Sequence, residues 1–503
     1  MLAPAVDTIE PDDAPKPSSK RPSVMERPMP GDGLLGWAGP LAITVLAGLL
    51  RLWHVTRPRG PVFDEVYYPK DAHDLLRFGV ERGDSCVGPG FVVHPPLGKW
   101  LIALSEQAFG YVDCNGQRHG DPELGWRFAS VVAGTLAVLI LARAARRMFR
   151  STALGCLAGL LLALDGMELV QSRTGILDIF LMVWIVVAIA CLALDRDWTR
   201  SRLAAWGRLP YVLRPWQLAC GASLGAALST KLSGGYTVPA LAGLALAWTI
   251  GARRSADQQR PSLAFLRRDA LGWVLAFLIV PVAVYTASWT GWFVTDTGFD
   301  RGSHSGVLGA LQSWLDYHSQ IRTFHEGLSS HHPYQSDNPF QWLILGRPVD
   351  FSYLTPKGAA CPYRSGCSAQ VLDQGNPIIW WPGALAVLAC GWRWVTTRDW
   401  RAALVLAGFV LSFAPWLAFP GRTKFQFYAL PLLPFIVLAI TLVAGWVVGS
   451  ASSTDRRRTV GSLLVGAYAM AVLVAFAYFY PVWTGQTISY SAWYARLWFP
   501  SWI

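Results

Sequence analysis

The chain has 503 residues, of which 53% are hydrophobic and only 15% are charged, and it contains 25 tryptophans. This composition is too apolar for a soluble enzyme of this length and indicates a membrane protein. The formal net charge of +11 does not indicate nucleic-acid binding, because no basic cluster is interleaved with aromatic residues on a soluble module.

Residues 1–30 are rich in Pro, Asp, Lys and Ser, and we expect them to form a disordered cytoplasmic tail. Residues 31–503 alternate apolar blocks with polar stretches, as in a single transmembrane domain. Because about 20 apolar residues cross a bilayer as a helix, we predict an all-α polytopic protein with about eleven spans. The blocks lie near 34–54, 125–146, 151–169, 176–194, 216–231, 235–251, 271–290, 377–395, 402–419, 427–447 and 460–480.

Short loops rich in Arg stay on the cytoplasmic side of a membrane and therefore predict the orientation of the chain. Five such loops lie an even number of predicted spans apart, so all five can be cytoplasmic. This predicts a cytoplasmic N-terminus and an exterior C-terminus in the cell membrane. They are residues 143–150, 196–214, 253–268, 393–401 and 456–458. Two long loops, about 55–124 and 291–376, are then exterior. An enzyme working there cannot use ATP or nucleotide-sugars, so its activated donor would arrive on a membrane lipid.

The first exterior loop opens with two adjacent carboxylates, Asp64 and Glu65, in the segment FDEVYY. Carboxylates near a membrane interface are costly to desolvate unless they have cationic partners or a task. Sugar transfer from a phosphate-linked donor needs a base for the acceptor hydroxyl and cations for the leaving phosphate. We therefore predict a catalytic or substrate-binding role for this pair, with a solvated loop pair as the alternative.

Further along this loop, His94 and Lys99 flank two prolines in the segment HPPLGKW. Pro96 can start an amphipathic helix that has Lys99 in its first turn, at the membrane interface. The Lys99 ammonium either contacts a phosphate or simply extends from the apolar surface to the interface. Arg127 follows at the outer end of the second span.

Several charges cluster around the short outer turn between the third and fourth spans. A charge near mid-bilayer costs about 2.5–3.5 kcal/mol, so such clusters are normally paired internally. We expect Arg173 to pair with Asp178 or with Asp165, and these three also stand as candidate substrate-binding residues. The full cluster is Asp165, Glu168, Arg173 and Asp178.

The fifth span carries Gly221 and Gly225 at the spacing that is typical of close helix packing. Lys231 follows at its outer end, as an interfacial anchor or a phosphate ligand.

Arg422 and Lys424 lie in a short exterior turn, against the usual charge distribution of such turns. They indicate phosphate or carboxylate binding, or anchoring to lipid headgroups.

The second exterior loop contains an amphipathic segment in which His318 and His325 lie on an apolar stripe. On helical spacing the stripe comprises Leu311, Trp314, Leu315, His318, Ile321, His325 and Leu328. We predict an interfacial helix packed over the active site. A metal site is the less favoured alternative, because no carboxylates or thiols stand at ligand spacing. Whether a divalent metal is needed stays open.

Four of the eight cysteines fall in the two exterior loops, where oxidising surroundings permit disulfides. We predict the pairs Cys86 with Cys114 and Cys361 with Cys367, with free thiols as the alternative. The other four cysteines lie inside predicted spans, where a thiol is usually a small apolar side chain.

Eight segments in this order resemble the protein O-mannosyltransferases in their bacterial, actinobacterial form, over about residues 34–503. The segments are FDEVYYPKDA, HPPLGKW, GWRFAS, LVQSRTGILD, GAALSTKLSG, YHSQIRTFHEGLSSHHPYQS, GNPIIWWPG and GRTKFQFYALPLLP. The resemblance implies a lipid-sugar-dependent, GT-C type glycosyltransferase fold. It also implies an inverting transfer of mannose from polyprenyl phosphate mannose to Ser or Thr hydroxyls of exported proteins.

The resemblance further implies residue roles. Asp64 would be the catalytic base, with Glu65 beside it, and Arg127 would lie near the donor phosphate. His94 and Lys99 fall in the family's interface helix with less certain roles. Eukaryotic members carry a β-trefoil domain in the second long loop, and this loop, about 85 residues long, contains no such repeat. Acceptor recognition must therefore differ here, for instance by coupling to the secretion machinery.

Two alternatives to this function stay open. The nearest is another lipid-sugar-dependent transferase, one that acts on a cell-wall glycan or a lipid. A transporter or flippase is the second, although such proteins usually have inverted repeats and binding sites on broken helices, which this sequence does not indicate.

Overall fold

The structure is a computed structural model that describes residues 31–450 and 452–503. The tail expected over residues 1–30 lies outside the described residues. Helices make up most of the described chain, in agreement with the predicted all-α class.

The described part of the first half of the chain forms nine helices. Side-chain caps mark several starts: Asp121 accepts a hydrogen bond from the Leu124 amide at 3.3 Å, and Ser151 from the Leu154 amide at 3.3 Å. The helices are α1 (Leu34–Leu52), α2 (Tyr68–Phe78), α3 (Leu97–Phe109), α4 (Pro122–Phe149), α5 (Thr152–Ala163), α6 (Gly166–Gln171), α7 (Asp178–Trp206), α8 (Pro215–Thr230) and α9 (Thr237–Ser255).

The described residues of the second half form eleven more helices, and a π-helical turn at Leu275–Ile279 joins two of them into one continuous span. They are α10 (Pro261–Arg268), α11 (Ala270–Val274), α12 (Val280–Ser288), α13 (Thr290–Val294), α14 (Gly306–Gly327), α15 (Phe340–Leu343), α16 (Pro377–Thr397), α17 (Trp400–Phe413), α18 (Leu433–Val448), α19 (Asp455–Trp483) and α20 (Tyr490–Tyr494).

Two small antiparallel sheets lie in the connections between helices. β1 (Gly110–Val112) pairs with β2 (Arg118–Gly120), so that Tyr111 faces His119. β4 (Cys367–Asp373) lies between β3 (Val349–Leu354) and β5 (Ile488–Ser489). The register of β3 shifts between Asp350 and Ser352.

A helix lies in every predicted apolar block, and eight helical segments of the described chain are long and apolar enough to cross a membrane. Three further helices are apolar but shorter: α1, whose apolar part is Gly36–Leu52, α5 (Thr152–Ala163), and α8, which has 16 residues. The chain is therefore a multi-pass membrane protein. The count of about eleven spans stays a prediction.

The two ends of the helical bundle differ in chemistry. At one end, the long-loop face, residues 53–121 and 289–376 pack together. Tyr317 Oη, for example, contacts both the amide and the carbonyl of Val92, at 3.0 and 2.8 Å. The Phe63 and Phe351 rings stack there at 4.4 Å.

At the opposite end, the arginine face, the five Arg-rich loops converge. Arg147 and Arg150 both bind Asp197 at 2.9 Å, and Arg196 lies 3.9 Å over the Trp400 ring. Gln258 reaches the Gly207 carbonyl at 2.8 Å. The prediction that these loops share one face is confirmed.

The predicted close packing at the fifth span is also present. A Cβ atom at Gly221 would lie 1.7 Å from the Ala276 carbonyl oxygen, and one at Gly225 would lie 2.8 Å from Pro281 Cα. The two glycines thus let α8 approach the backbone of the span that runs through α11 and α12.

Candidate active site

The acidic pair lies on a short 3₁₀ turn, Phe63–Val66, between α1 and α2 on the long-loop face. The turn is closed by its own side chain, since Glu65 Oε2 accepts a hydrogen bond from the Val62 amide at 2.9 Å. Its two carboxylates point into different surroundings: Glu65 is 2% exposed, whereas Asp64 is half-buried.

Glu65 is held by Arg127 of α4 in a bidentate ion pair. Arg127 Nε donates to Glu65 Oε1 at 2.8 Å, and Nη2 donates to Oε2 at 2.7 Å. The Gly175 amide donates to Oε1 at 2.7 Å as well. These bonds satisfy a buried charge that would otherwise be costly, and they fix the turn that carries Asp64.

The remaining donors of Arg127 also bind within the protein. Nη1 donates to the carbonyls of Val55 and Pro58, at 3.0 and 2.9 Å, and Nη2 donates to the Gly60 carbonyl at 3.0 Å. Every N–H of the guanidinium therefore has a partner in the chain. A direct phosphate contact by Arg127 stays a prediction and would require one of these bonds to break.

Asp64 has a lighter set of contacts. Its Oδ2 accepts a hydrogen bond from the Tyr68 hydroxyl at 3.3 Å, one helical turn further along. Burial raises the pKa of the Asp64 carboxyl to about 6; the Lys231 ammonium opposes this rise and the Asp178 carboxylate adds to it. A carboxylate with a raised pKa and free lone pairs is suited to accept a proton.

Lys231 brings a cation next to this carboxylate. It follows α8 and is 6% exposed, and its Nζ donates to both oxygens of Asp178 at 2.9 and 2.8 Å. The same Nζ lies 4.5 Å from the centre of the Tyr428 ring and 5.3 Å from that of Phe427. The ammonium is thus positioned by one carboxylate and two aromatic faces.

A cavity of about 310 Å³ opens beside Lys231 on the long-loop face. Arg422 Nη2 lies 3.3 Å from His325 Nδ1, and the Arg422 Nε has no hydrogen-bond partner among the described residues. His94 Nδ1 also has no hydrogen-bond partner among the described residues. Burial lowers the pKa of the His94 imidazole well below its ordinary value. The lining includes His94, Lys231, Tyr236, His325, Arg422 and Tyr428.

This lining contains three cations, of which Arg322 is paired with Glu326, and an unused Arg422 N–H donor beside aromatic rings. It is suited to an anionic group attached to an apolar chain. The helix predicted in the second exterior loop closes one side: α14 runs over the cavity, and His325 Nε2 contacts the Val93 carbonyl at 3.1 Å. The buried face of α14 is centred on Tyr317 and Ile321. Leu311 and Leu315 of the predicted stripe are exposed.

Two other predicted cations lie outside this lining. Lys99, fully buried, binds Glu81 and lies 3.5 Å from Asp71. Lys424 donates to the carbonyls of Phe419 and Pro420 at 2.7 and 3.0 Å. Both ammonium groups have partners within the protein, and their predicted substrate contacts stay untested.

The predicted pairing of Arg173 is wrong. Arg173 Nη1 donates to the carbonyls of Leu50, Arg51 and Trp53, at 3.1, 2.7 and 2.7 Å. These carbonyls lie at the C-terminal end of α1, where helix carbonyls lack partners within the helix. The carboxylates expected beside Arg173 have other partners, since Asp178 binds Lys231.

Asp165 is a helix cap. It accepts a hydrogen bond from the Glu168 amide at 3.1 Å at the start of α6, and it also accepts the Asn376 amide and Trp380 Nε1, both at 2.9 Å. Glu168 pairs with the buried Arg51. Asp165 and Arg173 therefore hold neighbouring helices together. Asp178 contacts Lys231, which lines the cavity.

Sequence reasoning gave no role to Tyr68 or Tyr428. Tyr68 follows Asp64 by four residues inside the quoted FDEVYY segment, and that helical spacing is a signal that could have identified it. Tyr428 lies in a continuous apolar run, where a single aromatic residue carries no comparable signal.

Both predicted disulfides are present, Cys86–Cys114 and Cys361–Cys367. The first joins the loop before α3 to the turn between β1 and β2. Asp74 Oδ1 lies 3.1 Å from Cys86 Sγ, and these two residues with Cys114 form a cluster of metal-ligand type. Because both sulfurs are bonded to each other, they cannot act as thiolate ligands.

Comparison with known proteins agrees with this geometry. The family model for dolichyl-phosphate-mannose-protein mannosyltransferases matches residues 41–293, and the model for the C-terminal four-span region of protein O-mannosyltransferases matches residues 310–502. A polyprenol-phosphate-mannose–protein mannosyltransferase of Mycobacterium tuberculosis is 37% identical, with 94% of this chain and 93% of the relative covered. One from Corynebacterium glutamicum is 31% identical, with 93% of each covered.

The fold has a solved counterpart in the Saccharomyces cerevisiae protein O-mannosyltransferase Pmt1–Pmt2 complex bound to the sugar donor. The TM-score is 0.75 at 15% identity, with 94% of this chain and 93% of that chain covered. At that identity the likeness concerns the fold alone. The near full-length matches to the actinobacterial relatives establish that the chain belongs to the protein O-mannosyltransferase family of membrane glycosyltransferases.

Proposed function

We propose that this chain transfers mannose from a polyprenyl phosphate carrier to Ser or Thr hydroxyls of exported proteins. The observation that carries the proposal is the electrostatic interaction of the half-buried Asp64 carboxylate with Lys231, which lines the cavity, in a chain of this family. The reaction needs a base and cations in adjacent positions, and both are present on the long-loop face.

Asp64 acts as the base. A Ser or Thr hydroxyl is too weak an acid to ionise at neutral pH, so its proton must pass to a positioned acceptor as its oxygen attacks the sugar. The attacking oxygen forms a bond to the anomeric carbon while the bond to the phosphate oxygen breaks, which inverts the configuration. The Asp64 pKa of about 6 keeps the carboxylate ionised, yet basic enough to take the proton.

Lys231, Arg422 and His325 meet the donor phosphate. The leaving group gains negative charge as the sugar departs, and cations in a partly buried site stabilise that charge. Asp178 holds the Lys231 ammonium by two hydrogen bonds. The neutral His94 imidazole supplies a further polar contact to the bound donor.

Arg127 and Glu65 position the base. Their ion pair ties the Asp64 turn to α4, and the Gly175 contact ties it to the segment before α7. In this assignment Arg127 acts on the phosphate only indirectly, by fixing the geometry of the turn.

The protein resides in the cell membrane with its long-loop face outside and its arginine face in the cytoplasm. This orientation follows the distribution of Arg among short loops. Acceptors then meet Asp64 on the exterior side as extended chains. Coupling of the transfer to the secretion machinery would supply acceptors in that form.

The test incubates the purified protein in vesicles with labelled polyprenyl phosphate mannose and a Thr-rich peptide. We expect label in the peptide as an α-mannoside on a Thr hydroxyl, and about 10²–10⁴-fold slower labelling with Asp64→Asn. Label that appears only in a lipid or a cell-wall glycan would contradict the proposal and favour the related transferase class.

A further inference from the structure

The arginine face contains a large cavity that plays no part in the proposed reaction. It has a volume of about 1150 Å³ and lies between α5 and α19, with α18 behind it. Its mouth is basic and its depth is apolar. This combination matches a molecule that has an anionic head and hydrocarbon chains.

The mouth of the cavity carries five arginines, which three different loops contribute. They are Arg150, Arg393, Arg401, Arg457 and Arg458. Two carboxylates offset part of this charge: Asp197 binds Arg150 at 2.9 Å, and Asp399 binds Arg401 at 2.6 Å and lies 3.9 Å from Arg393. An excess of positive charge remains at the mouth.

The excess is concentrated at the start of α19. Among the described residues, the Arg457 guanidinium donates to the Trp446 carbonyl alone, at 3.3 Å. In the described chain, neither Arg457 nor Arg458 has a carboxylate within ion-pairing distance. The Arg393 Nε and Trp446 Nε1 donors nearby are buried and make no hydrogen bond among the described residues, although Arg393 Nε lies 3.9 Å from Asp399. An anion seated here would meet both unpaired charges and unused donors.

The depth of the cavity is lined by small and aliphatic side chains. α5 contributes Leu154, Leu157 and Leu160, and α19 contributes Val465 and Ala469. α5 has only 12 residues, and the first half of α19 is largely exposed. The groove between them runs along about 10 Å of helix, from Ser462 to Ala469.

We propose that this groove binds an acidic diacyl phospholipid of the membrane leaflet on the arginine face. The phosphate lies among Arg393, Arg457 and Arg458, and the acyl chains lie between α5 and α19. Basic pockets between membrane helices recognise acidic lipid headgroups in this way. The two separate apolar walls favour a lipid with two chains over a single-chain polyprenyl phosphate. The lipid would fill the gap beside the short helix α5.

The experiment measures lipid binding to the full-length protein, purified in neutral detergent, by native mass spectrometry. The probes are phosphatidylglycerol, phosphatidylcholine with the same acyl chains, undecaprenyl phosphate and inorganic phosphate. We expect one phosphatidylglycerol to bind at least about tenfold more tightly than phosphatidylcholine, because the groove selects an acidic head. Equal binding of the two lipids would overturn the proposal, as would tighter binding of undecaprenyl phosphate at this groove.

Three variants locate the site. Arg457→Gln with Arg458→Gln should weaken phosphatidylglycerol binding about thirtyfold, since each cation near a lipid surface contributes about a factor of five. Gly466→Leu should also weaken it, because a side chain at Gly466 enters open space inside the groove. Gly251→Leu is the matched control: Gly251 lies on α9, away from the groove, and also faces open space.

Each variant outcome decides one part of the proposal. Loss of binding in the arginine variant but not in Gly466→Leu would mean an anion site without seated acyl chains, which overturns the lipid assignment. Full displacement of the lipid by inorganic phosphate at equal concentration would do the same. A thermal melting curve for every variant checks that it is folded.

Discussion

Asp64 and Glu65 are neighbours in the chain, yet the turn that carries them gives each a different environment. Glu65 is 2% exposed and its charge is neutralised by Arg127, so it cannot take up a proton without breaking a bidentate ion pair. The Asp64 carboxylate accepts one hydrogen bond from the described residues, that of the Tyr68 hydroxyl, and is half-buried. This geometry supports our proposal that Asp64 is the general base.

Asp64→Asn should lower transfer about 10²–10⁴-fold, because the amide keeps the shape but cannot accept the proton. Donor binding should change little. The pH profile provides a second readout. Since the ionised carboxylate is the active form and its pKa is about 6, kcat/KM should fall as the pH drops below about 6 and level off above it.

The measurement is kcat/KM between pH 5 and 8 for the wild-type protein and for Asp64→Asn, with donor binding measured separately. The slow residual rate of Asp64→Asn should lack the inflection near pH 6. An unchanged inflection in the variant would assign the titrating group elsewhere, and a near-normal rate would remove Asp64 from catalysis.

Arg422 and Lys424 are two residues apart and differ in how their charges are used. Arg422 lines the cavity, and its Nε has no hydrogen-bond partner in the part of the chain that the structure describes. Lys424 donates to two carbonyls of its own turn. Arg422→Gln should weaken donor binding and lower transfer about 10²–10³-fold, as for loss of one group that stabilises developing charge. Lys424→Gln should alter the stability of the turn more than the affinity for the donor.

The comparison uses equal amounts of folded protein, with donor affinity from a binding titration and Tm from thermal melting. If Lys424→Gln reduced donor affinity more than Arg422→Gln did, the phosphate would lie on the other side of the turn.

Replacing Arg127 tests whether this residue has a structural role or binds the donor phosphate directly. Removing one partner of a buried ion pair costs about 3–5 kcal/mol, because the other charge is left uncompensated. Arg127→Ala should therefore lower Tm as well as activity, and Glu65→Gln should lower Tm in the same direction. A direct phosphate ligand would behave differently: its loss would reduce donor affinity while Tm without donor stayed unchanged. That second pattern in Arg127→Ala would restore the phosphate role.

At the scale of helices, the packing of α8 depends on Gly221. A Cβ there would lie 1.7 Å from the Ala276 carbonyl oxygen, so the two helices would have to separate. Gly221→Ala should destabilise the protein by about 1–3 kcal/mol, the usual range for overpacking. Gly243→Ala on α9 is a suitable control, because a side chain there meets open space. A Tm for Gly221→Ala equal to that of the control would contradict this packing argument.

The sequence predicts helices better than it predicts the partners of charged residues. Apolar blocks and caps act locally, so the helices lie where the hydropathy pattern puts them. Of the predicted stripe, His325 and Leu328 line the cavity, whereas Leu311 and Leu315 are exposed. Arg173 shows the limit. Its partners are backbone carbonyls at the end of α1, about 120 residues earlier in the chain, and a carbonyl carries no signal in the sequence.

Lys231 is a second charged residue whose partner the sequence does not reveal. It stands 53 residues from Asp178, and only the packing of α7 against α8 brings the two charges together. The sequence therefore leaves Lys231 as either an anchor or a phosphate ligand. The packed structure gives it a carboxylate partner, two aromatic faces and a place in the cavity wall.

For the whole molecule, the separation of charge and chemistry between the two ends of the bundle is the main organising feature. The five Arg-rich loops converge on one face, where four of them pair with Asp197, Asp269 and Asp399. The acidic pair, both disulfides and the cation-lined cavity lie on the other. Disulfides form in oxidising surroundings, so their position agrees with an exterior long-loop face.

The last prediction tests this orientation directly. Positively charged short loops stay in the cytoplasm during insertion, and the five loops agree with each other, so one reversed loop would conflict with all the rest. Gly302→Cys places a thiol on the long-loop face in open space, and Ser452→Cys places one on the arginine face at an exposed position. In intact cells, a membrane-impermeant maleimide should label Gly302→Cys and leave Ser452→Cys unlabelled until the cells are opened. The wild-type protein is the control for its four free cysteines. Labelling of Ser452→Cys alone would show that the protein has the opposite orientation in the membrane. Asp64 would then face the cytoplasm, where no exported acceptor could reach it.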